Sequence, residues 1–183
     1  MVKVAVVVGS LRKGSYSKKL AENMASLLPE GFEAEFVDIG NLPLYNEDYD
    51  GNEPQEYLDF REQIKSSDAV MFVTPEYNRS VPGVLMNAID VASRPYGHSV
   101  WDGKPALVAS QSISNLSGFG ANHHLRQSLV FLNMPVLQQP EVYIANSPEL
   151  FDENDKIKSE DTVAFLQSAI DAFVDHVKKY VYV

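Results

Sequence analysis

Val4-Ala5-Val6-Val7-Val8-Gly9-Ser10-Leu11-Arg12-Lys13-Gly14-Ser15-Tyr16-Ser17 is the stretch on which the fold turns. Its unbroken, valine-rich start reads as a β-strand covered on both faces. The run stops at Gly9-Ser10. Beyond it Leu20, Met24, Leu27 and Leu28 recur at helical spacing, which predicts a helix over 15–28 stopped by Pro29 and Gly31. A strand, a tight loop and a helix N-terminus in that order form an anion site, because the unpaired N–H groups and the helix dipole both favour negative charge. The hydroxyls of Ser10, Ser15 and Ser17 add donors, and Arg12 adds a charged one. A phosphate monoester suits this chemistry.

Two other phosphate loops compete for the same residues. A nucleotide P-loop needs lysine directly after its second glycine, but Ser15 follows Gly14. A dinucleotide fingerprint needs Gly-x-Gly-x-x-Gly, and Leu11 stands where the middle glycine belongs. Asp38 nevertheless ends the second predicted strand, where such folds hold a ribose. A dinucleotide-binding protein without redox chemistry therefore stays open at this point, as does a turn that binds nothing.

The rest of the chain alternates strands and helices. Phe32 to Ile39 predicts the second strand. The segment from Gly40 to Pro54 reads as a loop, long enough to suggest function or mobility. Tyr57, Phe60 and Ile64 mark a helix, and Ala69 to Val73 a third strand. A strongly amphipathic helix is predicted over 81–92, with Pro82 in its first turn. Pro105 to Ala109 predicts the fourth strand, 121–133 a helix, and Pro135–Leu137 with Val142–Ile144 a broken fifth strand. A polar loop then leads to a last helix presenting Val163, Leu166, Ile170, Phe173, Val174, Val177 and Val181. Such alternation predicts an α/β three-layer sandwich, a parallel sheet with helices on both faces. Ligands in such folds bind outside the carboxyl ends of the strands, at the switch point of the sheet. The loops that begin at Gly9, Thr74 and Ser110 should therefore meet at one edge.

Thr74-Pro75-Glu76-Tyr77-Asn78 has a stiff turn and an aromatic side chain able to lie beside a flat ring. Ser110-Gln111-Ser112, and the small residues through Gly120, let backbone approach a ligand closely. Either loop alone is also compatible with an ordinary turn. His123-His124 are neighbours on a predicted helix and point in different directions, so no metal site is expected there. No Gly-x-Ser-x-Gly elbow is present, so a hydrolase triad has no support.

The 183 residues fit one domain spanning 1–183. With no cysteine, disulfide scaffolds, thiolate metal sites and thiol nucleophiles are excluded together. A net charge of −10 and a pI near 4.8 oppose binding to nucleic acid. No run approaches the ~18 apolar residues of a membrane span, and the N-terminal apolar run is too short for a secretory signal. A cytoplasmic location is expected.

Taken in order, these residues make a recognisable series. Gly9-Ser10-Leu11-Arg12-x-x-Ser15 with Ser17 comes first, then Leu42-Pro43-Leu44-Tyr45-Asn46-Glu47-Asp48. Pro75-Glu76-Tyr77-Asn78 follows, with Val81-Pro82-Gly83-x-Leu85-x-Asn87-Ala88-Ile89-Asp90 behind it. Trp101-x-Gly103-Lys104-Pro105 and Gly118-x-Gly120-Ala121 complete the series. From about Lys3 to the last helix, the chain resembles the NADPH-dependent FMN reductases, a flavodoxin-like group that includes chromate, quinone and azo-dye reductases.

The resemblance implies a five-stranded parallel sheet of order 2-1-3-4-5. It implies an FMN whose phosphate is held by Ser10, Arg12, Ser15 and Ser17, with Tyr16 beside them among the cofactor-binding residues. Pro75, Glu76, Tyr77 and Asn78 would line the isoalloxazine, and Ser110, Gln111 and Ser112 would border its other side. It implies ping-pong hydride transfer from NADPH or NADH to a small-molecule electron acceptor: a quinone, an azo or nitro compound, a metal oxyanion or free flavin. It also implies a homodimer or homotetramer, paired through the helix at 81–92, with the 43–50 loop reaching a partner's flavin. Two residues depart from the family pattern. Gln111 stands where proline or glycine is expected, and Ser17 where asparagine is frequent. A flavodoxin-type electron carrier is the alternative from another functional class.

Overall fold

A computed structural model of the chain describes residues 1–181; the last two residues of the expected 1–183 domain lie outside the described residues. Five strands pair in parallel in the order β2-β1-β3-β4-β5: β1 (Val2–Val8), β2 (Phe32–Val37), β3 (Ala69–Thr74), β4 (Ala106–Gln111) and β5 (Val142–Ile144). This is the flavodoxin-like order that the resemblance implies.

Side-chain alternation along β1 explains why its apolar run is continuous. Val4 and Val6 pack with Leu20 and Met24 of α1 (Tyr16–Ala25) and with Leu166, Ile170 and Phe173 of α6 (Glu160–Val181). Ala5 and Val7 face the opposite core. There they meet Tyr57, Phe60 and Ile64 of α2 (Gln55–Lys65), Leu85 and Ile89 of α3 (Gly83–Ala92), and Leu125 and Leu129 of α4 (Phe119–Phe131). Every residue of β3 and β4 is buried, as a strand sandwiched between helix layers requires.

Several boundaries move from their expected places. α1 ends at Ala25 rather than residue 28, with a looser turn closed by Leu27 N to Met24 O and Leu28 N to Ala25 O. β2 stops at Val37. Pro82 is the residue before α3, so the helix starts at Gly83. Residues 135–137 form only a bridge, Val136 to Ala106, beside β5. The two long loops are not featureless. A 3-10 turn occupies Glu47–Tyr49, and a four-residue helix, α5, occupies Ser147–Leu150.

Asn87 explains how the long 40–54 loop is held. Its buried side chain accepts from Tyr45 N at 2.8 Å and donates to Pro43 O at 3.0 Å, which ties the loop to α3. Below it, Trp101 is fully buried; its ring lies 6.1 Å from Phe60 and 5.6 Å from Phe72, and its indole N–H donates to Ile89 O at 3.1 Å. Truncating a buried aromatic of this size removes transfer energy and leaves a cavity. Trp101→Ala is expected to lower stability by about 3–5 kcal/mol. Urea unfolding followed by circular dichroism measures this, since the variant lacks the chain's one tryptophan.

Candidate functional site

The loops after β1, β3 and β4 converge on a single cleft at the carboxyl edge of the sheet. Ser10, Arg12, Ser15 and Tyr16 line it from the first loop, Pro75, Glu76 and Tyr77 from the second, and Gln111 and Ser112 from the third. The contact between the first two loops is close. A Cβ added at Gly9 would lie 2.7 Å from Thr74 Oγ1 and 3.0 Å from Leu85 Cδ2.

The first loop ends in a capped helix. Ser15 precedes α1, and its Oγ accepts from Lys18 N at 3.2 Å. The N–H groups of Tyr16 and Ser17 lie in the first turn, where no intrahelical acceptor exists. Arg12 stacks its guanidinium over the Tyr16 ring, 5.3 Å from the centroid, and among the described residues no carboxylate pairs with it. Ser10, two backbone donors and an unpaired guanidinium thus share one end of the cleft.

The second loop closes as a tight turn. Tyr77 and Ser80 exchange both backbone hydrogen bonds, at 3.0 and 2.9 Å, and Asn78 and Arg79 take left-handed conformations with φ of 50° and 64°. Two successive positive φ values suit asparagine and strain arginine. Other contacts hold the turn in place. Glu76 accepts from Ala121 N at 3.1 Å, capping α4, and receives Arg79 at 3.4 Å. Ser80 Oγ lies 2.6 Å from His124 Nδ1. A Cβ at Gly120 would lie 2.8 Å from Arg79 O and 2.9 Å from Glu76 Oε2, so this close approach of turn and helix requires glycine. The Glu76 carboxylate is therefore a helix cap rather than a solvated acid. Tyr77, 56% exposed, stands at the rim of the cleft.

The third loop is fixed from beneath. Ser110 is fully buried; its hydroxyl donates to Ser117 O at 2.9 Å and accepts from Asn122 Nδ2 at 3.2 Å. Gln111 reaches away from the cleft mouth. Its Nε2 donates to Ser17 Oγ at 2.8 Å, and its Oε1 accepts from Ser147 Oγ. The two departures noted in the sequence are thus bonded to each other. A short serine at 17 leaves room for the long side chain at 111, and the pair joins α1, β4 and α5.

Of the sequence-predicted residues, the cleft lining leaves out Ser17, Asn78 and Ser110. Ser17 and Ser110 point their hydroxyls into the interior, and Asn78 belongs to the outer turn. Ile113, 70% exposed, lines the cleft and was not singled out, because an isolated apolar residue in a Ser-rich loop carries no pattern. His123 and His124 have separate partners. His123 Nε2 lies 2.8 Å from the Tyr143 hydroxyl, whose pKa is pushed up to about 12 by burial and by hydrogen bonding to Glu141. Among the described residues no helix is long and apolar enough to cross a membrane.

The family profile described as NADPH-dependent FMN reductase matches residues 2–149. A quinone reductase of Pseudomonas putida is 56% identical over 176 residues, 96% of this chain and 94% of the relative. A 2-hydroxy-1,4-benzoquinone reductase of Burkholderia sp. is 47% identical over 177 residues, 97% of each chain. Among solved structures, FerB, a flavoenzyme NAD(P)H:(acceptor) oxidoreductase from Paracoccus denitrificans, superposes with a TM-score of 0.93 at 40% identity, covering 98% of this chain and 99% of that one. With the cleft at the sheet's switch point and the match running through all its loops, this chain belongs to the NADPH-dependent FMN reductase family.

Proposed function

We propose that the chain is a single-domain, FMN-dependent NAD(P)H oxidoreductase that reduces quinones, and that its cleft holds the flavin. One observation carries the assignment of the cleft. Its donor-rich end, with Ser10, Arg12 and the first-turn N–H groups, has the chemistry of a phosphate dianion site. The carboxylate on the cleft wall, Glu76, is already engaged by the N-terminus of α4, which limits its repulsion of an anion. These residues fit FMN.

In this reading Ser10, Arg12, Ser15 and Tyr16 hold the phosphate, with Ser17 contributing its backbone N–H rather than its hydroxyl. Pro75 and Tyr77 border one side of the ring, and Ser112 and Ile113 the other. Asn78 and Ser110 support their loops from outside the cleft. Bound FMN supplies acceptance of hydride from NADH or NADPH and its delivery to a two-electron acceptor. The protein's own residues bind, orient and exclude water. No side chain is assigned as acid or base: the one carboxylate of the lining, Glu76, is engaged by Ala121 N and Arg79.

Quinones are the first acceptors to test, because curated relatives at 56% and 47% identity are named for them. Azo and nitro compounds, metal oxyanions and free flavin follow from the family. We also assign the chain to the cytoplasm as a homodimer or homotetramer. The partly exposed Val84 and Met86 of α3 are offered to the partner, and the 43–50 loop lies beside α3.

The decisive measurement is an absorbance spectrum before and after anaerobic NADPH. Flavin bands near ~450 nm that bleach are expected. Bands that persist would mean a flavodoxin-type carrier, and protein that takes up no FMN would mean a dinucleotide-binding protein without redox activity. Arg12→Ala is expected to weaken FMN binding by about 1.5–3 kcal/mol, the worth of a charge-assisted hydrogen bond. Equilibrium titration with FMN checks this, and unchanged affinity would remove Arg12 from the site. Gln111→Met keeps the volume but strands the buried Ser17 hydroxyl, while Ser147 Oγ keeps Ser112 O at 2.9 Å, and should lower stability by about 1–3 kcal/mol. In a double-mutant cycle with Ser17→Ala the two losses should not add.

A further inference from the structure

A second cleft opens on the far side of the first loop, between the carboxyl ends of β1 and β2. Phe36 and Asp38 line it from β2 and its end, Lys18 from α1, and Ser10 to Arg12 from the loop. None of its β2 residues is used in binding FMN.

Its position is connected to the flavin cleft. Ser10 and Arg12 line both, and they also line a third cleft that includes Tyr77 and Val84. A path therefore runs from Tyr77, past Leu11 and Arg12, to Asp38. Packing keeps that path formed. A Cβ at Gly40 would lie 3.0 Å from Leu11 Cδ2 and 3.2 Å from Asp38 Oδ1, so the turn after β2 sits directly on the loop.

The chemistry of the cleft suits a nucleoside. Asp38 Oδ1 accepts from Gly40 N at 2.8 Å, which orients the carboxylate; its other oxygen has no donor among the described residues. In the dinucleotide-binding members of doubly wound folds, a carboxylate beyond the first loop bonds ribose hydroxyls, and Asp38 directly follows β2 here. Phe36, 42% exposed on the edge strand, offers an aromatic face. Lys18, whose pairing with Glu22 at 4.0 Å is loose and exposed, offers a cation for phosphate.

Taking the chain as an NAD(P)H-dependent oxidoreductase, we propose that this cleft receives the adenosine half of the dinucleotide donor. Asp38 accepts from the ribose hydroxyls and Phe36 lies against the adenine. The donor then spans the first loop, with its nicotinamide at the rim near Tyr77. Asp38 favours a 2′-hydroxyl and opposes a 2′-phosphate, so it biases the enzyme toward NADH.

Steady-state kinetics with saturating quinone test this on the flavin-loaded protein. Asp38→Asn keeps the Gly40 contact and should raise KM for NADH about fivefold, without raising KM for NADPH. Phe36→Ser should raise KM for both donors. Reduced nicotinamide mononucleotide, which lacks the adenosine half, should be oxidised equally by all three proteins, and KM for the quinone should not change. An unchanged KM for NADH in both variants would overturn the proposal. So would an equal shift with the mononucleotide, or loss of flavin from either variant. If the unaltered protein oxidised neither NADH nor the mononucleotide, the oxidoreductase reading itself would fall, and this proposal with it.

Discussion

The contact between the ends of β1 and β3 is the constraint on which the site depends. The chain leaves β1 toward α1 on one face of the sheet and leaves β3 toward α3 on the other. Divergence of the two crossovers opens a crevice between neighbouring strands. It also forces the two loops together at their roots, where Gly9 leaves no room for a side chain beside Thr74 and Leu85. Burial of both sheet faces secures this arrangement. β1 and β3 carry apolar residues toward both helix layers, so packing on both faces holds the two strands in place.

Polar bonds over long sequence distances then shape what the strands bring together. Glu76 and Ser80 clamp the strained Asn78-Arg79 turn to α4, and Gln111 ties the start of α1 to β4 and to the short α5. These bonds run to α4, α1 and α5, so the cleft walls are held from outside. Backbone strain at Arg79 persists because these contacts over-determine the turn.

The parallel sheet and the meeting of the loops were readable because they follow from local patterns, whereas the strand order came with the family resemblance. Valine-rich runs, helical spacing and the alternation of the two dictate a parallel sheet, and the sheet dictates its own binding edge. Helix ends were less readable where distant residues set them. α4 begins at Phe119 rather than 121, in part because Glu76, from another loop, caps it at Ala121. Ser17 and Gln111 looked like two independent oddities, since nothing local joins residues 94 positions apart. Leu42 to Asp48 and Asn87 were landmarks of the same resemblance, yet only the fold shows that Asn87 holds the Pro43–Tyr45 backbone.

The donor-rich end of the cleft belongs to a protein whose net charge is −10. An anion approaching from solution is repelled by the molecule as a whole and attracted only close to Arg12 and the start of α1. Both effects are screened over the Debye length, about 8 Å at physiological ionic strength. Added salt screens the outer repulsion, which quickens encounter, and it also weakens the inner contacts, which quickens escape. Ionic strength thus moves capture and release of charged ligands in the same direction, and exchange at this site grows faster while affinity changes far less than either rate.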